Sequence, residues 1–298
     1  MATALIPEFD ILGAQGGLSS ESISHIGQAF ITVRPDTYNQ SLDWLIANVS
    51  RLAVSVDVSN LTSAADIRTL LDAGAARVFA RLEQLQDLRP AIDDTRLVLV
   101  LDMDHSKDQI VDAIAETPLG VYAQQIKDLD FVTGWLKEYG ASNRPPVYVS
   151  FGYTPNIADV QAICSLAAIP IIPAHHLTVD VKSQPDLLSV ADLIVAAAST
   201  DRSDGLYTTL VVDERGIALG LVYSSAESIA ESLRTGRGVY QSRKRGLWYK
   251  GATSGAIQEL VKVDLDCDGD CLRYVVRQKG TGRFNSSYFK NDMLANNT

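Results

Sequence analysis

Eight apolar, β-branched runs recur along the first two thirds of the chain, and segments of helical period separate them. The runs cover residues 5–11, 30–33, 52–58, 77–80, 97–101, 119–123, 147–151 and 169–172. Several are apolar nearly throughout, the pattern of parallel strands covered on both faces. Helical periodicity falls on residues 41–47, 64–73, 107–116, 130–139 and 156–167, with Ser63, Ser106 and Thr154 as polar N-cap candidates. A βα unit repeated about eight times predicts an α/β fold closed as a (β/α) barrel, for which about 250 residues is typical. Residues 1–197 are short for that, so an open doubly wound sheet is the structural alternative.

Near residue 200 the alternation stops. Asp201-Arg202-Ser203-Asp204-Gly205 is a turn cluster, and residues 206–212 and 217–223 read as two strands around the loop Asp213-Glu214-Arg215-Gly216. A short helix follows from Ser224 and ends near Arg234, with Gly236 just beyond it. The expected organisation is a barrel-like region over 1–197, a small, mostly antiparallel α+β domain over 198–283, and a polar, disordered tail over 284–298.

Charge limits the partners. The net charge of −10 opposes generic binding to a phosphate backbone, so no nucleic-acid partner is expected. The first residues lack a basic start followed by an apolar run, and no stretch approaches the roughly 18 apolar residues of a membrane span. A cytoplasmic protein with no membrane partner is expected. The three cysteines, Cys164, Cys267 and Cys271, are too few and too uneven for a disulfide framework. Cys164 lies in an apolar helical run and reads as a buried, inert thiol. His25 and His105 fall in surface segments. His175-His176 has no carboxylate or Cys at ligand spacing, so a structural or surface role is expected.

Two stretches carry the chemistry. Residues 233–257 hold no acidic residue but include Arg234, Arg237, Arg243, Lys244, Arg245 and Lys250, with Ser242, Thr253, Ser254 and glycines such as Gly236, Gly238, Gly251 and Gly255. Guanidinium groups fork onto phosphate oxygens, and hydroxyls and glycine amides add donors, so an anion site and a solvated basic loop both fit. Next comes Asp264-Leu265-Asp266-Cys267-Asp268-Gly269-Asp270-Cys271, with four carboxylates within seven residues. Oxygen ligands suit Mg²⁺ and a thiolate suits Zn²⁺, while the alternative is an acidic turn without metal. A calcium loop of the EF-hand type is excluded, because its closing Glu position holds Val275 inside a strand-like run.

The order of the motifs Ser242-Arg243-Lys244-Arg245, Leu247-Trp248-Tyr249-Lys250-Gly251-Ala252-Thr253-Ser254-Gly255 and Asp266-Cys267-Asp268-Gly269-Asp270 resembles the phosphoribosyl-AMP cyclohydrolases. With Asp204-Gly205-Leu206-Tyr207-Thr208-Thr209 before it, this part is similar to the cyclohydrolase of fungal multifunctional histidine-biosynthesis proteins. In the first region, residues 63–78, residues 156–163 and Ile6-Pro7-Glu8-Phe9-Asp10 resemble the isomerase and cyclase barrels of the same pathway.

The resemblance implies hydrolytic opening of the adenine ring of 1-(5-phosphoribosyl)-AMP at N1–C6 by a metal-activated water, in a homodimer. It implies Cys267 as a ligand of Zn²⁺, and Asp266, Asp268 and Asp270 as ligands of Mg²⁺. Arg243 and Lys250 are the implied catalytic side chains beside Cys267. Ser242, Arg243, Arg245, Lys250, Thr253 and Ser254 are implied in phosphate and ring contacts, with Trp248 as packing.

Departures from the pattern set further expectations. Ala256 stands where many members carry His, so no general base is assigned. Past Gly282 the family has Cys-His and a second Cys seven residues on, where this chain has neither in residues 283–291. Low turnover is therefore expected, with a non-catalytic scaffold that keeps phosphate binding as the alternative. The barrel enzymes hold substrate phosphates at glycine-rich strand ends. Here Val58-Ser59-Asn60-Leu61 has no Gly and Ser150-Phe151-Gly152-Tyr153 has one. A non-catalytic barrel is expected, with Asp10 a polar strand-end residue.

Overall fold

A computed structural model describes residues 4–11, 24–102, 119–139, 145–266 and 268–280. The described chain divides into two compact units, the first ending at Ala197 and the second beginning at Ala198.

In the first unit β1 (Ile6–Phe9), β2 (Gln28–Thr32), β3 (Ala53–Asp57), β4 (Arg77–Ala80), β5 (Leu97–Asp102), β6 (Gly120–Ile126), β7 (Val147–Phe151) and β8 (Ala168–Pro173) form a closed parallel barrel. Closure comes from β8 pairing back onto β1, with Ile6 opposite Ile171. This decides against the open doubly wound sheet. Around it run α1 (Tyr38–Asn48), α2 (Ala64–Asp72), α3 (Leu82–Leu88), α4 (Leu129–Tyr139), α5 (Ile157–Cys164) and α6 (Val190–Ala197). Two short strands after β8, β9 (Leu177–Thr178) and β10 (Leu188–Ser189), pair in parallel. The helix expected over 107–116, with its cap Ser106, lies outside the described residues, as does His105. Ser63 caps α2 by accepting from Asp66 N. Thr154 does not cap α5. Asn156 does, in a reciprocal box with Asp159, because its side chain sits one residue before the first helical turn.

Successive strand residues face opposite sides. Outward-facing Ala29, Ile31, Val54, Val56, Val78 and Leu99 pack with Leu45, Ile67, Leu70, Leu85 and Leu88 of the helices. Inward-facing Ile6, Phe30, Phe79, Val98, Tyr122, Tyr148 and Ile171 fill the barrel. The rings of Phe79 and Phe30 meet edge-on at 5.0 Å, and Phe79 touches Tyr122 at 5.3 Å and Tyr148 at 4.9 Å. Both strand faces are thus dry, which is why the sequence shows continuous apolar runs.

Two residues further along β1, β2, β6 and β7, toward the C-terminal end, the inward position turns polar as Glu8, Thr32, Gln124 and Ser150, and Asp57 joins them from β3. Thr32 Oγ1 donates to Glu8 at 3.1 Å, and Gln124 Nε2 reaches from β6 to Asp57 at 3.5 Å. The Tyr122 hydroxyl donates to Ser150 Oγ at 2.8 Å. Burial pushes the Glu8 carboxyl above the ordinary carboxylate range, opposed by the Thr32 bond and assisted by repulsion from Asp57. Burial does the same to Asp57, opposed by its bond from Ser59 N. Asp10, in contrast, is exposed. At the second expected phosphate position, a Cβ on Gly152 would lie 2.9 Å from the Gln125 carbonyl oxygen. That glycine lets the irregular end of β6 approach, where Gln125 has φ 50°, and serves the chain's own backbone.

The second unit has a four-stranded sheet in the order β12 (Ala218–Ser224), β11 (Tyr207–Val212), β16 (Cys271–Gln278), β15 (Gln258–Leu265). β11–β12 and β15–β16 are antiparallel, while β11–β16 is parallel. Helix α7 (Ala226–Thr235) is capped by Ser225 and closes at Gly236. A separate hairpin pairs β13 (Val239–Ser242) with β14 (Gly246–Tyr249). Ile229, Leu233, Val239, Tyr240, Leu272, Tyr274 and Val276 are buried here. Among the described residues no helix is long and apolar enough to cross a membrane.

The raised Glu8 carboxyl gives a stability prediction. Below the ordinary carboxylate range the folded and unfolded chains both keep the proton, and burial adds no charge penalty. As pH rises above that range the unfolded chain releases its proton first, so the folded state loses stability until the folded pKa is passed. The Glu8→Gln variant keeps the Thr32 contact without the charge. It should resist urea better than the wild type at pH 7.5, with the gap closing toward pH 4. A less stable variant, or a gap independent of pH, contradicts this account of Glu8.

Candidate active site of the second unit

The β13–β14 hairpin carries the basic motif on its turn. Ser242 ends β13 and its Oγ accepts from Arg245 N at 3.3 Å, which tightens the turn and leaves Arg243, Lys244 and Arg245 exposed. These side chains border a cleft of about 620 Å³, together with Tyr223, Gln241, Ser242 and Trp248. The Arg243 guanidinium lies 5.2 Å from the Tyr223 ring centre, and Arg245 lies 5.6 Å from Trp248. Cations at such distances are attracted to the ring faces, which orients them where no acidic partner stands among the described residues. Arg202 lies on the same Tyr223 ring at 4.2 Å and is forked onto Asp204 at 3.0 and 2.7 Å. That fork holds the Asp204 carboxyl below its usual range. The arrangement offers positive charge and aromatic faces together, as a phosphorylated purine requires.

The predicted residues do not all gather there. Lys250 follows β14, with its Nζ 5.2 Å from the Trp248 ring centre, outside the cleft lining. Thr253 and Ser254 lie in the exposed turn that follows. Arg234 is held by Glu231, which also accepts from the Tyr249 hydroxyl at 2.6 Å, so this arginine serves the α7–β14 contact. Trp248 is half-buried and faces the cleft as well as packing 6.1 Å from Tyr240. A Cβ on Gly251, at φ +86°, would meet the Ala256 backbone at 2.5 Å. This glycine folds the turn onto itself, a correction to its reading as an anion-facing amide. Ala256, at the position of the family's His, is buried.

Sequence reasoning missed Tyr223 and Arg202. The Tyr at the end of the run 219–223 was legible as a strand end. Its role emerges only once β12 lies beside the β13–β14 hairpin.

The acidic motif forms the tip joining β15 to β16. Asp266 N donates to Cys271 O at 3.0 Å, and Cys271 N returns a bond to Asp266 Oδ1 at 3.2 Å. Carboxylate oxygens of Asp266, Asp268 and Asp270 lie within 4.8 Å of one another. A hydrogen bond from Asp266, then repulsion from Asp268 and Asp266, raises the Asp270 carboxyl. Asp266 is lowered, its burial outweighed by bonds from Cys271 N and the neighbouring acids. Three convergent oxygens that strain to share a proton fit a hard cation such as Mg²⁺. Asp264 stands apart, bonded by Arg273 Nε at 3.1 Å and by Lys262 at 3.2 Å.

Among the described residues the thiol beside the acidic tip is that of Cys271. Cys267 lies outside them. The Cys271 thiol is raised by burial and turned to the Leu272 carbonyl. Cys164 belongs to the first unit, where burial pushes its thiol up to about 12, in keeping with an inert side chain.

Comparison with known proteins agrees with this geometry. The family model described as phosphoribosyl-AMP cyclohydrolase matches residues 220–285, which include the cleft and the acidic tip. The chain is 39% identical over 287 residues to the histidine biosynthesis bifunctional protein his7 of Schizosaccharomyces pombe, covering 94% of this chain and 69% of that protein. It is 39% identical over 277 residues to the histidine biosynthesis trifunctional protein of Neurospora crassa, covering 89% of this chain but 30% of that protein. The phosphoribosyl-AMP cyclohydrolase of Roseobacter denitrificans is 48% identical over 90 residues, 28% of this chain and 70% of that protein. A relative of this identity and coverage, with the family match falling on the basic cleft, leads to one conclusion: the chain belongs to the family of multifunctional histidine-biosynthesis proteins, and its second unit is a phosphoribosyl-AMP cyclohydrolase domain.

Proposed function

We propose that the second unit hydrolyses the adenine ring of 1-(5-phosphoribosyl)-AMP. A water oxygen bonds to C6, one water proton goes to the exocyclic nitrogen and the other to N1 as the N1–C6 bond breaks, C6 becomes a carboxamide, and both ribose phosphates remain on the product. The observation that carries this reading is the cleft itself. Arg243, Lys244 and Arg245 surround it, Trp248 and Tyr223 line it, and it lies within the segment that matches the family.

In this reading Arg243, Arg245 and Ser242 hold one phosphate. Guanidinium groups and a hydroxyl on a rigid hairpin turn are preorganised donors. Thr253 and Ser254, with Lys250 preceding them, take the other. Trp248 and Tyr223 give the purine flat faces to lie against. Arg243 and Lys250 bring positive charge toward the ring as the adduct forms. Asp266, Asp268 and Asp270 would hold Mg²⁺, and Cys267 would give Zn²⁺ a thiolate. The chemistry a bound divalent cation supplies is a water whose pKa falls toward about 7.

The proposed assembly is a homodimer. Leu221, 65% exposed, and Ile217, 57% exposed, stand on and beside β12 at the edge of its sheet, and such an edge is usually covered. Sedimentation should give twice the 32.3 kDa chain mass, and Leu221→Glu should return it to one. A wild-type monomer at micromolar concentration overturns this.

A second reading is a scaffold that binds the substrate phosphates without turnover. Residues 283–298 hold no Cys or His, which favours it. Substrate binding and ring opening, measured separately, discriminate the two. Arg243→Ala and Arg245→Ala should each weaken substrate binding by about 10- to 100-fold, the loss of one charge-assisted hydrogen bond of about 1.5–3 kcal/mol. Binding with no ring opening would leave the scaffold. Unchanged binding in both variants would remove the cleft from the account. For the acidic tip, calorimetry should detect one Mg²⁺ site that the Asp268→Asn/Asp270→Asn double variant lacks. Equal heats in both proteins would dismiss it.

A further inference from the structure

At the mouth of the barrel, above the aromatic layer, lies a cavity of about 180 Å³ walled by Glu8, Asp10, Thr32, Arg34 and His175. These residues sit at or just beyond the C-terminal ends of β1, β2 and β8. We propose that this mouth binds a small zwitterion of the α-amino-acid type, with its cationic nitrogen on Glu8 and its anionic group on Arg34.

The volume is about six waters' share of the liquid, the size of such a solute. The Glu8 carboxylate has about four acceptor positions, and among the described residues its one hydrogen-bond donor is Thr32. The remainder faces the cavity. Neighbouring Asp57, 0% exposed, accepts from Ser59 N at 2.9 Å and from Gln124 at 3.5 Å. Neither carboxylate has an ion-pair partner among the described residues. Burying two acids without a cation is costly, and a barrel that had only to stand up would fill these inward positions with Val, Ile or Leu. A ligand ammonium entering the mouth would supply the missing charge.

Arg34 completes the complement. Its side chain is exposed on the rim and has no ion-pair partner among the described residues. It is close enough for its charge to favour the ionised form of Glu8. A guanidinium there presents a fork that matches a carboxylate or a phosphate. A cation site inside and an anion site at the rim, within one small cavity, select a molecule carrying both charges. The glycine-poor strand ends argue for the small carboxylate over a large phosphate ester.

The test uses the full chain. Each of the twenty L-α-amino acids, O-phosphoethanolamine and inorganic phosphate is titrated in turn by calorimetry, followed by the N-acetyl derivative and the methyl ester of the tightest amino acid. At least one amino acid should bind with a Kd of 1 mM or below. Each derivative should bind at least tenfold more weakly, because each lacks one charge. Glu8→Gln and Arg34→Ala should each weaken binding at least tenfold while melting cooperatively, since one is isosteric and the other exposed. Binding of O-phosphoethanolamine alone would keep the zwitterion and make its anion a phosphate. The proposal is overturned if no probe binds, if binding survives both substitutions, or if inorganic phosphate binds equally to wild type and Glu8→Gln.

Discussion

The interior of an eight-stranded parallel barrel has to be filled by its own side chains, and here edge-on aromatic rings do much of that work. Phe79 lies at the centre, against Phe30, Tyr122 and Tyr148. Because this plug is apolar and water-free, whatever stands on it is desolvated from below. That burial raises the Glu8 and Asp57 carboxyls above the ordinary range. Tyr122 joins the two layers, with its ring in the plug and its hydroxyl on Ser150 in the polar layer above. The protein therefore keeps a floor of fixed geometry beneath polar groups at the barrel mouth, where side chains on strand ends are held more rigidly than loops would hold them.

Much of this was legible in the sequence and some was not, for physical reasons. Strands buried on both faces announce themselves as unbroken β-branched runs, so eight strands were visible. Their closure was not, since it depends on β8 meeting β1 across most of the unit's length. Asp10 drew notice by resemblance, yet it is exposed. The carboxylates that the barrel buries are Glu8 and Asp57. Their inward direction follows from sharing parity with Phe30 and Phe79, and parity has meaning only after the strands are in register. The cap of α5 shows the local version. Asn156 and Asp159 satisfy each other three residues apart, a signal stronger than the Thr154 chosen from position alone.

In the second unit the motifs identified the family and the cleft, but composition overstated the number of groups available to a ligand. Arg234 is occupied by Glu231 and Asp264 by Arg273 and Lys262. Gly251 is consumed by the turn it makes possible. Residues that look alike along the chain separate once their neighbours are known. On the β13–β14 turn Arg243 and Arg245 lie over the Tyr223 and Trp248 rings and have no ion-pair partner among the described residues. The convergent carboxylates are those of Asp266, Asp268 and Asp270 at the hairpin tip, whose oxygens lie within 4.8 Å of one another.

The parallel pairing of β11 with β16 has a consequence for how the second unit is made. Thr208 is opposite Cys271, so the strand that opens the sheet waits for the one that completes it. The hairpin β11–β12 and helix α7 leave the ribosome with one sheet edge unmatched, and non-local pairing of this kind forms slowly. Until β16 emerges, that edge is open to other chains. A nascent barrel has an analogous wait for β8. The barrel is completed by β8 and the four-stranded sheet by β16, so synthesis interrupted shortly before either strand leaves an adhesive edge rather than a smaller working part.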